Sequence, residues 1–254
     1  MDKVGRPRLG KLLWAFFAIS LVLIIVGGYF GLKWYRLRGV RSLRLGEWFL
    51  NAADHPDWAV ESGERCGEAP FLSPTDGYIG FLWGDSFRPG HRHQGLDIFG
   101  GRPAGETPVI TAYAGYLTRL PEWKSSVIIR IPSDPLQPGQ QIWTYYTHMA
   151  DSQGNSYILG EFPPGTSEKF VEAGTILGYQ GDYSGDPFNP VGVHLHFSIV
   201  KDDGKGRFRN ELEISNTLDP SPYLGMLLSA DQNRDQIPVC LNPSAGGKDE
   251  SISR

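Results

Sequence analysis

The sequence contains little cysteine. Its 254 residues include two cysteines, Cys66 and Cys240, which are too few for a disulfide-dense scaffold and too far apart for a cysteine zinc site. In an oxidising compartment they would close a long loop as one disulfide, and elsewhere they would remain unpaired thiols. The sequence leaves both arrangements open.

Basic charge is scarce in most of the chain. Residues 1–44 hold nine Lys or Arg and one acidic residue, a balance of +8. The whole chain has a net charge of −4, so residues 45–254 together carry −12. Nucleic-acid affinity depends on Lys and Arg that neutralise phosphates. We therefore expect no nucleic-acid partner.

Long amphipathic helix patterns are absent after residue 50, and no HExxH motif is present, so a helical glutamate base is not expected. Turn signals such as SPTDG at 73–77 and PPG at 163–165 separate short β-rich runs. The clearest runs are 108–120, 126–131, 141–149, 175–181 and 194–200. This pattern predicts a mainly β domain.

One long apolar run stands near the N-terminus. Residues 12–32 are 21 uncharged, mostly apolar residues, which span about 30 Å as a helix and match the hydrocarbon core of a bilayer. A cleaved signal peptide is the rival interpretation, but its apolar region is shorter, roughly 7–15 residues, and no A-x-A site follows here. Basic residues flank the run on both sides, so the positive-inside rule does not decide its orientation.

These patterns divide the chain into five parts. A basic segment is followed by a transmembrane helix, a juxtamembrane connector with a short helix around 42–53, the β domain, and a polar tail that is expected to be mobile. The boundaries are 1–11, 12–32, 33–65, 66–241 and 242–254.

The histidines are concentrated in two short motifs and the run between them. HRHQGLD at 91–97 and HLHF at 194–197 hold four of the six histidines, and His148 lies between them. Histidines gathered in this way, with Asp97 at a fixed offset, suggest a metal centre. His55 stands alone and is expected to be an exposed connector residue.

Strand geometry limits how these residues can share an ion. Side chains alternate along a strand, so His194 and His196 share one face, and the same rule places His148 on the face of Tyr146. Residues two apart lie about 6.6 Å apart at the backbone, so one histidine of the pair can bind the ion while the other lies beside it.

His93 and Asp97 would lie about 13 Å apart in a regular strand. Gly95 between them permits a bend or bulge that brings both side chains inward. A His, Asp, His set leaves one tetrahedral position for water, as in catalytic zinc sites. Two imidazoles and a carboxylate suit zinc better than magnesium or calcium, although manganese and iron(II) are compatible.

Three segments together resemble the lysostaphin-type or LytM-type zinc metallopeptidases, a family of peptidoglycan endopeptidases. Residues 93–97 match the HxGxD form of the first motif, 194–197 match HLHF, and 146–149 resemble YxHL with Met149 in place of Leu. The Gly-rich run 171–185 resembles the approach to the last motif. The resemblance covers roughly residues 68–222 and implies an antiparallel β-sheet or sandwich-like peptidase domain with a groove.

The resemblance also assigns roles. It implies that His93, Asp97 and His196 hold one zinc ion per chain, and that His148 and His194 are catalytic, without saying which of the two is the general base. His91 could bind the ion in place of His93, but the family motif aligns on His93 and leaves His91 at the groove rim.

One departure concerns residues 79–92, which lack the tyrosine that some members place before the first motif. Phe87 and Arg88 lie there instead, so help to the transition state from this region is in doubt. Trp83, Trp123 and Trp143 are expected to pack in the core or against the sheet, with a sugar-binding surface as the alternative.

The leading hypothesis is a membrane-anchored zinc endopeptidase that hydrolyses peptide bonds in bacterial peptidoglycan stems or cross-bridges. Its substrate implies a single-pass protein of the cytoplasmic membrane with an extracytoplasmic peptidase domain. Two alternatives stay open: an inactive relative that regulates other cell-wall hydrolases, and a membrane peptidase that acts on proteins.

Overall fold

The structure is a computed structural model that describes residues 8–86, 90–233 and 236–240. The expectations for Phe87, Arg88 and the tail 242–254 lie outside these residues. The chain forms two compact units, residues 1–39 and 40–254.

A single helix, α1, spans Arg8–Asn51. Its stretch Leu13–Leu32 is long and apolar enough to cross a membrane, a property that a signal sequence shares. The separate short helix expected around 42–53 is instead the end of α1. Residues 33–51 contain no proline and many Leu and Arg, which favour helix, so the sequence supplies no break.

The remaining elements are short strands and turns, as the spacing of the turn signals predicts. Three single turns of 3-10 helix cover Ala52–Asp54, Pro56–Trp58 and Ile214–Asn216. The strands and the last helix are β1 (Ala59–Val60), β2 (Gly77–Phe81), β3 (Leu96–Phe99), β4 (Pro108–Ile110), β5 (Gly115–Thr118), β6 (Val127–Ile131), β7 (Ile142–Thr147), β8 (Lys169–Val171), β9 (Ile176–Tyr179), β10 (Leu195–Lys201), β11 (Thr217–Leu218) and α2 (Ser221–Leu224).

Nine of the described strands form one antiparallel sheet, which confirms the mainly β prediction. Their order is β1-β2-β3-β10-β7-β6-β5-β8, with β11 paired to β10. The run 108–120, expected to be one strand, divides at 111–114 into β4 and β5. β4 pairs with β9 in a separate two-stranded sheet, and β5 pairs with β6 and β8.

The middle strand, β10, separates the two faces of the sheet. Leu195, Phe197 and Ile199 are fully buried in the main core on one face. The alternate residues of β10 lie on the other face, opposite Asp97 of β3 and Thr147 of β7 at the level of His196. The second face therefore carries the motif residues.

Cys66 and Cys240 form a disulfide with a Cα to Cα distance of 5.3 Å. The bond joins residues 174 positions apart in the sequence, so it closes nearly the whole β domain. Of the two arrangements that the sequence left open, the structure contains the disulfide.

The chain bends at Gly95, directly before β3, as expected for a glycine at this position. A second constraint acts on the same residue, because a Cβ there would lie 2.2 Å from the Phe197 carbonyl oxygen. The close approach of β3 to β10 thus requires glycine at position 95.

Gly95→Ala should destabilise the β domain by about 1–3 kcal/mol, the usual cost of forcing extra atoms into a packed interior. Urea unfolding of the full-length chain in detergent micelles measures the free energy of unfolding. Gly160→Ala is the matched control, because a Cβ at Gly160 meets nothing within 4 Å. Equal stabilities of the two variants would contradict this account of Gly95.

Candidate metal centre

Asp97 and His196 form a direct cross-strand pair between β3 and β10. Both side chains project from the face opposite the main core, since their neighbours Leu96 and Phe197 are fully buried. The Nδ1 atom of His196 lies 2.8 Å from Oδ1 of Asp97. The strand register alone therefore brings two of the predicted ligands into contact.

His93 reaches the pair from the segment before β3. Its backbone N–H donates to the Asp85 carbonyl at 2.8 Å, and its own carbonyl accepts from Gly84 N–H at 2.8 Å. Its ring Nδ1 lies 3.0 Å from the Leu82 carbonyl oxygen, which can only accept a hydrogen bond. Nδ1 therefore carries a proton, and Nε2 is the ring nitrogen that faces Asp97.

Three ligand atoms converge at this point. Nε2 of His93 lies 3.0 Å from Oδ1 of Asp97 and 3.1 Å from Nδ1 of His196. In the described part of the chain, His93, Asp97 and His196 are the one group of His, Cys, Asp or Glu side chains with ligand atoms close enough to share a metal ion. They are the three residues that the family resemblance implied as ligands.

The three atoms fit a zinc ion. A tetrahedral ion with bonds of about 2.0–2.1 Å separates its ligand atoms by about 3.3 Å, so the observed separations of 2.8–3.1 Å differ by only a few tenths of an ångström. Nε2 of neutral His93 and the Asp97 carboxylate both present lone pairs to each other, an arrangement that only a shared cation or a proton makes favourable. Two nitrogens and one carboxylate oxygen suit zinc better than magnesium or calcium, and are also compatible with iron(II).

The electrostatics of the cluster favour a cation. Burial would raise the pKa of Asp97, but the surrounding imidazoles hold it well below its usual range. Burial would lower the pKa of His93, but the Asp97 carboxylate outweighs burial and raises it. Burial lowers the pKa of His196 in spite of Asp97. A buried carboxylate thus stays ionised among imidazoles that can act as neutral ligands.

His148 follows β7 directly, and it does not share the face of Tyr146 to which alternation assigned it. Tyr146, with which alternation grouped it, is fully buried in the main core, and its hydroxyl oxygen accepts from Ala112 N–H at 2.9 Å. The backbone of His148 has φ 71°, a left-handed conformation that few residues other than glycine adopt. This turn at the end of β7 takes His148 away from the core and towards His194 and His196.

The ring of His148 is fixed by one hydrogen bond. Its Nδ1 donates to the Tyr183 carbonyl oxygen at 2.7 Å, which leaves Nε2 as an acceptor. Its centroid lies 4.5 Å from that of His194 and 6.2 Å from that of His196. Burial, followed by the nearby His194, lowers the pKa of His148 to about 3, so this ring is neutral at neutral pH.

His194 is held from two sides. Its Nδ1 donates to the Gly192 carbonyl oxygen at 2.5 Å, and its Nε2 lies 3.5 Å from Oδ1 of Asp97. Phe99 stacks on the ring with centroids 4.8 Å apart and planes 25° from parallel. The structure thus brings all five predicted site residues together on one face of the sheet.

The other two histidines lie outside the cluster. His91 is half-buried, so its expected position at the rim stays a prediction. His55, expected to be exposed, is half-buried because its ring stacks on Trp58 with centroids 3.8 Å apart.

The face of the sheet that carries the site continues along β6, β7 and β10, where aromatic side chains pack on it. Trp143 is buried there, and Trp123 and Phe208 pack against it with Tyr145. The Tyr145 hydroxyl donates to Ser126 Oγ at 3.0 Å. Two of the three tryptophans therefore pack on the sheet as expected. Trp83 lies elsewhere and donates from Nε1 to Thr217 Oγ1 at 2.9 Å.

Sequence reasoning missed the groups that orient the imidazoles. The carbonyls of Leu82, Tyr183 and Gly192 are backbone groups, so no residue type in the sequence could indicate them. Phe99 had a signal, because it lies two positions after Asp97 in a strand and alternation therefore places it on the same face.

No protein-family model matches the chain, and no curated protein matches it. Several solved structures do match. A candidate M23 peptidase from Pseudomonas aeruginosa is 21% identical at a TM-score of 0.36, with 68% of this chain and 58% of that chain covered. The catalytic domain of the prophage-encoded M23 protein EnpA from Enterococcus faecalis is 21% identical at a TM-score of 0.33. That match covers 59% of this chain and 94% of the EnpA domain. A candidate glycyl-glycine endopeptidase LytM from Ruminococcus gnavus is 25% identical at a TM-score of 0.33. That match covers 51% of this chain and 45% of the Ruminococcus chain.

The chain spans 58% of the length of the Pseudomonas protein and 45% of the length of the Ruminococcus protein.

Loss of any one ligand should weaken zinc binding. His93→Ala, Asp97→Asn and His196→Ala each remove a donor atom. Loss of a group that only hydrogen-bonds a ligand typically weakens metal binding roughly 10- to 100-fold, so these variants should raise the dissociation constant for zinc by more than that. Competition with a chromophoric chelator measures it on the full-length protein. His91→Ala removes a neighbouring imidazole outside the cluster and should bind zinc like the wild type. A ligand variant with wild-type affinity would refute the assignment.

Because the fold keeps His148 neutral, the free energy of unfolding of the metal-free protein should be lower in mild acid than at neutral pH. The pKa of His148 is about 3 in the fold against 6.5 ordinarily, so only the unfolded chain gains a proton just below pH 6.5. The contribution of neutral His148 is therefore complete above pH 6.5 and is lost progressively as the pH falls towards about 3.

His148→Asn tests this, because asparagine does not titrate and tolerates a positive φ. Between pH 7.5 and pH 5 the variant should lose about 2 kcal/mol less free energy of unfolding than the wild type. Urea unfolding at the two pH values measures the difference. Equal losses in the two proteins would show that His148 is not held neutral by the fold.

Proposed function

We propose that the chain is a zinc-dependent endopeptidase of the LytM type that hydrolyses peptide bonds in bacterial peptidoglycan. The observation that carries the proposal is the convergence of His93 Nε2, Asp97 Oδ1 and His196 Nδ1 within 3.1 Å of one another, with two further imidazoles beside them. A closed structural zinc site would use a fourth protein ligand, whereas this one keeps a position for water or substrate.

His93, Asp97 and His196 would hold the ion. When bound, zinc supplies Lewis-acid polarisation of a carbonyl group and lowers the pKa of water to about 7. The chain contributes a rigid site, because Asp97 and His196 stand on paired strands and His93 is fixed by the turn at 82–85.

His148 is the proposed general base. Its Nδ1–H is committed to the Tyr183 carbonyl, so Nε2 points its lone pair away from the loop. The neutral ring can accept a proton from the attacking water and later deliver it to the departing amine. The strained φ of His148 is consistent with a residue whose position serves chemistry.

His194 is the proposed electrostatic support. Both of its ring nitrogens face oxygen atoms, the Gly192 carbonyl at 2.5 Å and Asp97 Oδ1 at 3.5 Å, an arrangement suited to a hydrogen-bond donor. A donor beside the ion can stabilise the negative charge that develops on the scissile carbonyl oxygen. The two histidines thus divide proton transfer and charge stabilisation between them.

The proposed location follows from three features. Residues 13–32 are able to span a membrane, the Cys66–Cys240 disulfide suits an oxidising compartment, and peptidoglycan lies outside the cytoplasm. We therefore propose a single-pass anchor in the cytoplasmic membrane with the peptidase domain outside. The anchor keeps the enzyme close to its polymer.

A regulator without catalytic activity would not need both His148 and His194 beside a complete ligand set, so the geometry favours the enzyme. The distinction between a peptidoglycan and a protein substrate is left to the experiment that follows.

Purified peptidoglycan and a denatured soluble protein are incubated with the full-length chain, and new amino termini are counted. We expect release from peptidoglycan that chelator abolishes and added zinc restores. Mass spectrometry of the fragments then identifies the bond. Release from the protein substrate alone would favour the rival substrate class, and chelator-insensitive release would reject the metal mechanism.

His148→Ala and His194→Ala should each lower kcat by roughly 10²- to 10⁴-fold, the range typical of a lost acid or base group. Zinc content should stay at the wild-type level, because neither residue is a proposed ligand. His55→Ala, which removes the imidazole stacked on Trp58, is the control and should keep wild-type kcat. Wild-type release by both site variants would exclude the catalytic roles.

A further inference from the structure

We propose that the end of α1, residues 41–51, is a positioning element of the active site, with Phe49 acting through Phe99 on His194. This proposal rests on the function proposed above, since it assigns these residues a part in the same reaction. The sequence alone predicts only a juxtamembrane connector with a short helix here.

The segment is packed into the β domain. Arg41, Leu45 and Trp48 are buried, the last with 4% of its surface exposed. Trp48 Nε1 donates to the Phe99 carbonyl oxygen at 2.8 Å, and its ring packs against Tyr78 with centroids 5.9 Å apart. A solvent-exposed connector would not bury an arginine and a tryptophan on one face.

Glycines of the β domain lie where this segment approaches. A Cβ at Gly101 would lie 3.2 Å from Trp48 Nε1, and one at Gly80 would lie 3.1 Å from Leu45, both closer than ordinary contact. A Cβ at Gly192 would lie 3.4 Å from Phe49, which is ordinary contact. Gly192 is also the residue whose carbonyl orients His194.

An aromatic chain connects the helix to a catalytic histidine. Phe49 meets Phe99 edge to face with centroids 5.3 Å apart, and Phe99 stacks on His194 at 4.8 Å. Phe99 thus lies between a helix side chain and the imidazole. If Phe49 is removed, the Phe99 ring loses one of its packing partners, and the His194 imidazole loses a fixed neighbour.

A polar chain connects the same segment to a metal ligand. Arg41 lies 3.6 Å from the Asp85 carboxylate, which accepts from Leu82 N–H at 2.6 Å. The carbonyls of Asp85 and Leu82 in turn accept from the backbone N–H and the ring Nδ1 of His93. Both chains reach groups that orient imidazoles, and neither involves the ligand atoms themselves.

Loosening of the helix should therefore affect the chemical step more than zinc or substrate binding. Small displacements of a catalytic group slow the reaction, and a shift of about 1 Å can lower the rate roughly 100-fold. We expect the partial loosening in Phe49→Ala to lower kcat about tenfold with KM and zinc content unchanged.

The test compares Phe49→Ala with Leu50→Ala in the full-length protein in detergent micelles. Both residues are exposed, at 51% and 80%, so both variants should fold, but only Phe49 contacts the aromatic chain described above. Hydrogen exchange followed by mass spectrometry reports the segments 97–101 and 192–196. In Phe49→Ala these segments should exchange at least about threefold faster than in the wild type. Phe49→Tyr, which keeps the ring, should restore both exchange and kcat.

Wild-type exchange in Phe49→Ala, or equal acceleration in Leu50→Ala, would overturn the proposal. So would a change in KM without a change in kcat. If the wild-type protein cleaves no substrate, the proposed function fails, and the exchange comparison still decides whether the helix orders the site.

Discussion

The cross-strand contact of Asp97 with His196 is the interaction on which the rest of the site depends. It exists because β3 and β10 pair in one register, and a slip of β3 by one residue would turn Asp97 into the core and separate it from His196. Leu195, Phe197 and Ile199 fix that register by filling the opposite face, and the contact at Gly95 leaves no space for a shifted pairing. The same strand register thus determines both the packing of the core and the contact between Asp97 and His196.

Backbone carbonyls then determine how the imidazoles can act. The oxygens of Leu82, Tyr183 and Gly192 each accept a hydrogen bond from Nδ1 of one histidine. Nε2 of His93 is left to bind a cation, and Nε2 of His148 is left to accept a proton. Loop conformation, more than residue identity, therefore separates the proposed ligand His93 from the proposed base His148.

Local periodicity and motif chemistry predicted the β architecture, the apolar helix and the grouping of His93, Asp97 and His196, because alternation and donor type are properties of short segments. Tertiary contacts decided the rest. The orientation of His148 follows from a positive φ at the end of β7, which alternation from Tyr146 could not anticipate. The run 108–120 divides between two sheets because long-range strand pairing sets that limit. Residues 42–51 extend α1 because residues 33–51 contain no helix break.

The central claim is that one zinc ion lies among His93, Asp97 and His196. Anomalous diffraction at the zinc edge, from crystals of the zinc-loaded protein, tests it most directly. The account predicts one peak about 2.0–2.1 Å from Nε2 of His93, Nδ1 of His196 and a carboxylate oxygen of Asp97, with His148 and His194 outside bonding distance. A zinc peak bonded to His148 or His194, or one located away from this face of the sheet, would contradict it.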